Sequence, residues 1–376
     1  MSPSNTAAWL PDKCAKPLQV GPAPYTPPKA GEIVVQNAAV AINPVDWIKQ
    51  QAGNAIMGYI KYPFILGGDV AGQVVQIGPN VERFRVGDRV IAQAAAAAPA
   101  SNNPAEGAFQ HYTVIREHLA SVIPDWMSYE QAVVLPLALL TAACGLFHQD
   151  FLALDPPTVP AAPPNGKAII VTGGSSSVGS NAVQLAVSAG YQVYSTASPK
   201  NFAYVEKLGA TRVFDYHSPN LVDDITAALQ GKAVAGAFVV GDGAAEACTK
   251  VLRRCGRAAN KFIAFAGSIM PPDALNTSLG TAALFGSMIF WFGKRALVSC
   301  FTGVRTKFVE GEDICQPNNV ASQTVFRDFL PKALAAQQFV PAPEPLVVGE
   351  GLDKIQDAMD LQKKGVSAQK IVVLLS

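Results

Sequence analysis

The chain has 376 residues, which is enough for two domains of ordinary size. Its formal net charge is +1 and only 15% of its residues are charged. This balance excludes the basic surface that nucleic-acid binding requires and favours a small, largely apolar partner. Although 49% of the residues are hydrophobic, the apolar runs 133–147 and 284–292 are too short or too interrupted to cross a bilayer, so no membrane association is expected.

The first residues lack a basic segment followed by an apolar core, so we expect no secretory signal and predict a cytoplasmic location. Six cysteines are scattered without a CxxC pair or a neighbouring histidine cluster. We interpret them as reduced, mostly buried structural thiols and assign no metal site.

Short alternating apolar runs dominate the first half of the chain. Four of them predict antiparallel strands of a compact β-rich unit: residues 32–42, 69–78, 88–93 and 109–115. A helix is predicted over 133–147, and the proline-rich segment 155–166 predicts a surface connector.

Strands and helices alternate from residue 167 to about 266, as a doubly wound parallel sheet requires. A further helix is predicted over 324–337. The last section predicts a strand, a helix and a strand that return to the first unit. We therefore expect an α/β protein in which residues 1–140 and 340–376 form one domain and residues 141–339 the other.

The stretch AIIVTGGSSSVGSNA, residues 168–182, predicts a buried strand, a Gly/Ser-rich turn and a helix. Glycines in such a turn let the backbone approach a pyrophosphate, and the N–H groups of the new helix face the anion. The residues predicted to bind it are Gly174, Ser175, Ser176, Ser177 and Val178. The alternative is a tight strand-to-helix connection without a ligand.

The next predicted strand ends in Ser198-Pro199-Lys200-Asn201, where an NAD-selective fold usually places an acidic residue for the ribose 2′-hydroxyl. Ser198, Lys200 and Asn201 instead suit a 2′-phosphate, which predicts NADP(H) as the cofactor. A third strand, 234–240, ends in Gly241 and Asp242, at the sheet edge where cofactors bind in such folds. Asp242 is equally acceptable as a turn residue.

Several separated motifs resemble the medium-chain dehydrogenase/reductase family. They are Asn43-Pro44-Val45-Asp46, residues 67–92, Gly107-Ala108-Phe109 with Tyr112, and Leu135-Pro136 before Thr141-Ala142. The likeness is greatest to the zinc-free quinone and enoyl reductase branch. The segments SPKNF and VFDYHSPN are similar to fungal trans-acting enoyl reductases that serve polyketide synthases.

The resemblance implies a GroES-like catalytic domain, an NADP-binding Rossmann domain, and hydride transfer to a carbonyl or an activated carbon–carbon double bond. Zinc-dependent members place Cys, then His-Glu, then Cys around the metal. Here the first position falls in NPVDW, the second reads Gly68-Asp69, and residues 94–107 replace the Cys-rich lobe. Such a region cannot build a tetrahedral zinc site, and without a Lewis acid an activated alkene is a better substrate than a ketone.

The resemblance also implies particular roles. Asn43, Asp46, Trp47 and Thr141 are expected around the nicotinamide, and Tyr216 beside the adenosine. Asn43 and Thr141 are assigned as catalytic together with Lys49, although related reductases carry their lysine nearer the NPxD motif. Asn43 as a turn former and Tyr216 as a core residue remain open. The run 284–292 with Trp291 lines a substrate pocket in one interpretation and is core or a subunit contact in the other.

The leading expectation is an NADPH-dependent reductase of an α,β-unsaturated acyl thioester or ketone, acting in secondary (polyketide) metabolism. The expected partners are a small apolar or carrier-bound substrate and a polyketide synthase, and both a monomer and a homodimer are compatible with the sequence. A quinone reductase with the same residues is the first alternative. A non-catalytic NADPH-binding sensor or partner subunit is the second.

Overall fold

A computed structural model of the protein describes residues 3–241, 243–267, 280–309, 314–319 and 321–375. The chain forms two compact units. Unit 1 contains Met1–Leu137, Asp313–Ala335 and Pro341–Ser376, and unit 2 contains Ala138–Glu312 and Ala336–Val340.

The first strands along the chain belong to unit 1, the next ones to unit 2, and the last two described strands to unit 1 again. They are β1 (Asn5–Leu10), β2 (Gln19–Ala23), β3 (Glu32–Ala41), β4 (Phe64–Ile65), β5 (Asp69–Ile77), β6 (Arg89–Gln93), β7 (Tyr112–Arg116), β8 (Ala120–Val122), β9 (Lys167–Val171), β10 (Gln192–Ala197), β11 (Arg212–Asp215), β12 (Ala233–Val239), β13 (Phe262–Phe265), β14 (Arg305–Phe308), β15 (Glu344–Glu350) and β16 (Gln369–Leu374).

The helices mostly connect the strands of unit 2 or cover the sheets. They are α1 (Pro44–Ala52), α2 (Tyr129–Ala132), α3 (Pro136–Phe147), α4 (Ser177–Ser188), α5 (Phe202–Lys207), α6 (Leu221–Ala228), α7 (Ala244–Arg254), α8 (Gly280–Thr302), α9 (Leu330–Ala335) and α10 (Ile355–Lys364). A π-helical segment, Ala321–Phe329, runs directly into α9.

Unit 1 contains a seven-stranded sheet in the order β15-β16-β3-β5-β6-β8, with β7 paired to β3. The four antiparallel strands predicted from the alternating runs are present as β3, β5, β6 and β7, because their apolar side chains bury one face in a shared core. A second sheet, β2-β1-β4, packs into the same core. The return of the last section is also observed, since β16 pairs antiparallel with β3.

Unit 2 contains a six-stranded parallel sheet in the order β11-β10-β9-β12-β13-β14. Counted from its first strand, the order is 3-2-1-4-5-6, which is the doubly wound dinucleotide-binding arrangement. The order reverses at β9, so the carboxyl end of β9 lies at the topological switch point where such sheets bind ligands. The predicted α/β fold is therefore observed, with its glycine-rich turn at that point.

The apolar stretch Tyr129–Phe147 has the length and mean hydropathy, 1.7, of a membrane span, but 78% of its most apolar window is buried inside the protein. The sequence predicts one continuous helix over 133–147. In the structure the stretch forms two helices instead, α2 and α3. Pro136 is the first residue of α3, the position that tolerates proline best. The stretch therefore packs as core.

The domain boundaries expected from sequence differ from the units by a few residues near 137 and 340, and by one longer segment. Asp313–Ala335 belongs to unit 1 rather than to the Rossmann unit. The Arg83 guanidinium explains part of this placement, because it donates to the backbone oxygens of Glu117, Ala120 and Phe326 and so ties the π-helical segment to β8. Such a contact joins residues 243 positions apart and leaves no local sequence signal.

Gly72 in β5 lies against the backbone of β3, and this close approach generates a stability prediction. A Cβ atom at Gly72 would lie 2.0 Å from the backbone oxygen of Gln36. We expect Gly72→Ala to lower the free energy of unfolding by about 1–3 kcal/mol through overpacking, measured by chemical denaturation. Gly21→Ala in β2 is the control, since its Cβ would meet no atom within 4 Å; equal losses in both variants would contradict the prediction.

Candidate cofactor and active site

The turn between β9 and α4 is held in shape by hydrogen bonds to itself and to β10. Ser176 is the N-cap of α4; its Oγ accepts from the N–H of Gly179 (3.0 Å) and donates to the oxygen of Gly173 (2.7 Å). The N–H of Gly173 donates to Thr196 Oγ1 (3.1 Å) and that of Gly174 to the oxygen of Thr196 (2.9 Å). The turn is therefore preformed before any ligand arrives.

Only small residues fit in this turn. Gly173 has φ +62°, a Cβ at Gly174 would lie 2.2 Å from Ser195 Oγ, and a Cβ at Gly179 would lie 2.0 Å from the oxygen of Gly173. Residues 175–178 are partly exposed, whereas the Ser177 hydroxyl is buried and has no hydrogen-bond partner in the described part of the chain. A pyrophosphate at the N-terminus of the twelve-residue α4 fits this donor set.

At the end of β10, the structure brings two of the predicted adenosine contacts together. Ser198 Oγ lies 3.1 Å from the hydroxyl of Tyr216, because β10 and β11 are parallel neighbours and both residues follow their strand ends. Lys200 is exposed and Asn201 is half-buried. The nearby Asp215 carboxylate accepts the backbone N–H of His217 (2.9 Å). The binding roles of these residues remain predictions.

Gly241 follows β12 at the same carboxyl edge of the sheet, with φ +107° and open space where its Cβ would be. Asp242 lies outside the described residues. The predicted strand 234–240 is present as β12.

The apolar run that had two interpretations lies in α8. Trp291 packs inward, with its ring 4.9 Å from that of Phe265 and 6.5 Å from that of Phe308. Phe290 is 72% exposed. The core interpretation therefore describes Trp291, whereas Phe290 contributes nothing to the core of unit 2.

Unit 1 contains a cluster of buried polar side chains around Asn43, the residue that precedes α1. The Asn43 backbone is extended (φ −117°, ψ 155°), and its N–H donates to Asp46 Oδ2 (2.8 Å) in the first turn of the helix. Asp69 opens β5 and Lys370 lies in β16. The register of these strands places the two beside Asn43, since the N–H of Ile42 bonds the oxygen of Ile371.

The cluster is linked by short contacts. Lys370 Nζ lies 2.6 Å from Asn43 Oδ1 and 3.0 Å from Asp69 Oδ2, and Asn43 Nδ2 lies 2.8 Å from Asp69 Oδ2. The backbone N–H of Leu137 donates to Asp69 Oδ1 (2.7 Å). The side chains of Lys370 and Asp69 are 5% and 0% exposed, so each requires the other as a counter-charge.

Asp46 is buried in the same cluster, and burial raises the pKa of its carboxyl to about 7. The backbone N–H groups of Asn43 and Gly67 and the charge of Lys370 oppose this rise in pKa, whereas the charge of Asp69 adds to it. Asp46 is therefore partly protonated near neutral pH.

The other predicted active-site residues have different surroundings. The Lys49 ammonium donates to three backbone oxygens, those of Gly53 (2.8 Å), Ile56 (3.0 Å) and Met57 (3.2 Å). These bonds use all three of its protons, and burial lowers its pKa. Lys49 therefore stabilises the loop after α1, and its catalytic assignment stays a prediction.

Trp47 donates through Nε1 to Gln362 Oε1 and lies under the ammonium of Lys363, 5.6 Å from the ring centre. It therefore fastens α1 to α10. Thr141 lies in α3, about one turn after Leu137. The structure thus groups Asn43 with Asp46 and gives Trp47 a packing role, while the cofactor-binding roles of Asp46 and Trp47 stay predictions.

Sequence reasoning missed Lys370 and Gln93, and it treated Asp69 only as a replaced zinc position. A lysine at the start of the apolar run IVVLL was the available signal for Lys370, because a charge in a buried strand requires a partner. Gln93 ends β6 opposite Asp69, and its Oε1 is buried and unpaired within the described ranges.

Among the residues that the structure describes, no three His, Cys, Asp or Glu side chains form a group that would hold a metal ion. A zinc-free site remains a prediction. One cavity, of about 710 Å³, lies at the amino ends of β13 and β14 in unit 2, lined in part by Phe262, Arg295 and Arg305. The turn after β9 lies at the opposite, carboxyl edge of the same sheet.

Two family models match the chain. The alcohol dehydrogenase GroES-like domain matches residues 29–125, and the zinc-binding dehydrogenase domain matches residues 177–301. The dehydrogenase pigH of Monascus ruber is 49% identical over 99% of this chain and 100% of its own length. The trans-enoyl reductase himH of Aspergillus japonicus is 37% identical over 99% of this chain and 98% of its own length. The solved CurK enoyl reductase has the same fold, with a TM-score of 0.69 and 18% identity over 99% of both chains.

These matches define an oxidoreductase with a GroES-like domain and a Rossmann domain that binds a nicotinamide cofactor. The chain belongs to the medium-chain dehydrogenase/reductase family, close to fungal enoyl reductases. The resemblance and the fold class predicted from sequence are thereby confirmed.

The raised pKa of Asp46 predicts a pH-dependent contribution to stability. The unfolded carboxyl ionises near pH 4 and the folded one near pH 7, so between these values the folded state binds more protons and its stability falls as pH rises. We expect Asp46→Asn to gain stability relative to the wild type over this window, by a few kcal/mol, at about 1.4 kcal/mol per pKa unit.

Chemical denaturation at pH 4.5, 6 and 7.5 measures this difference in the free energy of unfolding. Asp125→Asn, at an exposed aspartate, is the control and should show no such trend. A difference between Asp46→Asn and the wild type that stays constant across the three pH values would contradict the raised pKa.

Proposed function

We propose that the protein is an NADPH-dependent reductase of an activated carbon–carbon double bond, in an α,β-unsaturated acyl thioester or ketone. The observation that carries the cofactor choice is the pairing of Ser198 with Tyr216 beside exposed Lys200. The trans-enoyl reductase name of a relative that matches almost the whole chain supports the reaction class.

The end of β10 favours a phosphorylated adenosine on chemical grounds. Ser198, Tyr216 and Asn201 supply hydrogen-bond donors and Lys200 supplies a positive charge, while the segment contains no acid to repel a 2′-phosphate. Asp215 is the near acid, at the end of β11, and its Oδ1 accepts the backbone N–H of His217. An NAD-selective site would need a free carboxylate for the ribose.

The donor set in unit 1 favours an alkene over a carbonyl. The stretch NPVDW and the pair Gly68-Asp69 stand where zinc-dependent relatives of this family carry ligands, and neither offers a thiolate or an imidazole. Conjugation already draws electrons from the β-carbon of an enone or enoyl thioester. The protein then needs only to orient the reactants, bind the developing enolate oxygen and admit a proton to the α-carbon.

A bound reduced nicotinamide nucleotide supplies the hydride. The residues of this chain do the rest: the turn after β9 binds the pyrophosphate, and Asn43 and Thr141 offer polar groups to the nicotinamide and the substrate carbonyl. The buried surroundings of Asn43 exclude water, which strengthens each hydrogen bond made there. In this proposal the protein acts in the cytoplasm on carrier-bound or free apolar substrates, with a polyketide synthase as its partner.

Turnover tests the function directly. We expect NADPH oxidation with an α,β-unsaturated thioester or a simple enone to exceed that with a quinone at matched concentrations, with NADH as the slower donor. Oxidation with the quinone alone would replace the proposal by a quinone reductase. Tight NADPH binding without turnover of any substrate would replace it by a non-catalytic sensor.

The adenosine site yields a separate prediction on coenzyme choice. We expect Lys200→Ala and Ser198→Ala each to raise the KM for NADPH about tenfold, equivalent to about 1.4 kcal/mol, without changing the KM for NADH. The effect of Lys200→Ala should shrink at high salt, because that lysine is exposed. Lys207→Ala, at an exposed lysine of the adjoining α5, is the control. An unchanged ratio of the two KM values would refute the 2′-phosphate assignment.

A further inference from the structure

We propose that Lys370 is a positioning residue of the active site, which fixes the Asn43 carboxamide between its own ammonium and the Asp69 carboxylate so that an Asn43 N–H faces the substrate carbonyl oxygen beside Gly68. This inference rests on the proposed function. It adds the residue that orients Asn43. It also explains how an asparagine beside a buried carboxylate donates a hydrogen bond to the substrate.

The orientation of the amide follows from the charges of its two partners. An ammonium only donates and a carboxylate only accepts. Asn43 Oδ1, 2.6 Å from Lys370 Nζ, must therefore be the oxygen, and Nδ2, 2.8 Å from Asp69 Oδ2, must be the nitrogen. A flip of the amide would place the NH2 donor of Asn43 against the ammonium of Lys370 and its oxygen against the carboxylate of Asp69.

Asp69 cannot rotate away from this arrangement. Its other oxygen accepts the backbone N–H of Leu137 at 2.7 Å, in the first turn of α3. Both carboxylate oxygens are thus fixed, one by a main-chain donor and the other by Asn43 and Lys370. The carboxylate is fully buried, so water does not compete for these bonds.

The amide nitrogen carries two protons, and Asp69 takes one of them. Gly68 lies on the neighbouring side and has no side chain: a Cβ there would lie 3.9 Å from Asn43 Nδ2 but only 3.1 Å from Gln93 Nε2 and 3.0 Å from Leu137 Cδ1, so a larger residue would crowd this side of the amide. Gln93 Oε1 is buried and accepts no hydrogen bond from the described residues. The second amide proton of Asn43 is the one that would be donated to a ligand oxygen on this side, such as the oxygen of a developing enolate.

Lys370 also balances charge. A developing enolate oxygen beside Asn43 would be repelled by the Asp69 carboxylate, and Asp46 lies in the same cluster. The Lys370 ammonium, 3.0 Å from Asp69 Oδ2, cancels that carboxylate. Removing it would both release the amide and leave negative charge facing the transition state, where electrostatic preorganisation matters most.

A double-mutant cycle tests the inference on the holoenzyme, with NADPH and an α,β-unsaturated thioester. We expect Lys370→Met and Asn43→Ala each to lower kcat at least tenfold with little change in the KM for NADPH. The double variant should be slower than Asn43→Ala alone by a smaller factor than Lys370→Met costs in the wild type, because the positioning part of the Lys370 effect acts through Asn43. Losses that multiply in the double variant, or a normal kcat in Lys370→Met, would overturn the proposal.

Lys370→Met leaves Asp69 buried without its counter-charge and is at risk of misfolding. Lys370→Met combined with Asp69→Asn removes both charges, so it should fold and still be slow. Lys370→Arg should restore part of kcat, since a guanidinium retains the donor and the charge. Lys16→Met, which removes an exposed ion pair of the same residue types, should leave kcat unchanged. Wild-type kcat in the charge-free double variant would overturn the proposal.

A readout without turnover separates this inference from the proposed function. The side-chain amide protons of Asn43, assigned by their loss in Asn43→Ala, should give two resolved, slowly exchanging NMR signals in the wild type. They should exchange fast in the variant that lacks both Lys370 and Asp69. Unchanged signals there would overturn the positioning role, whereas a wild type that reduces no alkene would overturn the function.

Discussion

The arrangement of unit 1 depends on one buried ion pair, between Lys370 and Asp69. A charge with 5% of its side chain exposed is tolerated only beside an opposite charge and with its hydrogen bonds made. Meeting both conditions requires β16, β5, the start of α1 and the start of α3 to converge on Asn43. The pairing of β16 with β3 brings Lys370 into this cluster.

Unit 2 depends on a different constraint, which is close approach of backbones. The turn after β9 packs so tightly against β10 and itself that only glycine fits at positions 174 and 179. The close approach of backbones in unit 2 gives the turn its shape and its main-chain donors for an anion. The buried ion pair in unit 1 holds the polar side chain of Asn43 in an apolar setting. Together they match a family whose cofactor is a charged dinucleotide and whose substrates here are proposed to be apolar.

Local patterns carried most of what the sequence predicted correctly. Alternating residues predicted β3, β5 and β6 because one buried face leaves a period of two, and the glycine-rich turn predicted α4 because close approach restricts residue type. The sequence predicted neither the partnership of Lys370 nor the attachment of the π-helical segment through Arg83. Each joins residues more than two hundred positions apart, and no propensity or period records such a contact.

The separation of 327 positions between Asn43 and Lys370 has a consequence for synthesis on the ribosome. Every strand of the parallel sheet has been made by residue 308, so that sheet can begin to assemble before Lys370 is added. The carboxylate of Asp69, by contrast, stays without its counter-charge until Lys370 in β16 has been made. Unit 1 is therefore completed later than the parallel sheet of unit 2, because its buried ion pair joins β5 to β16.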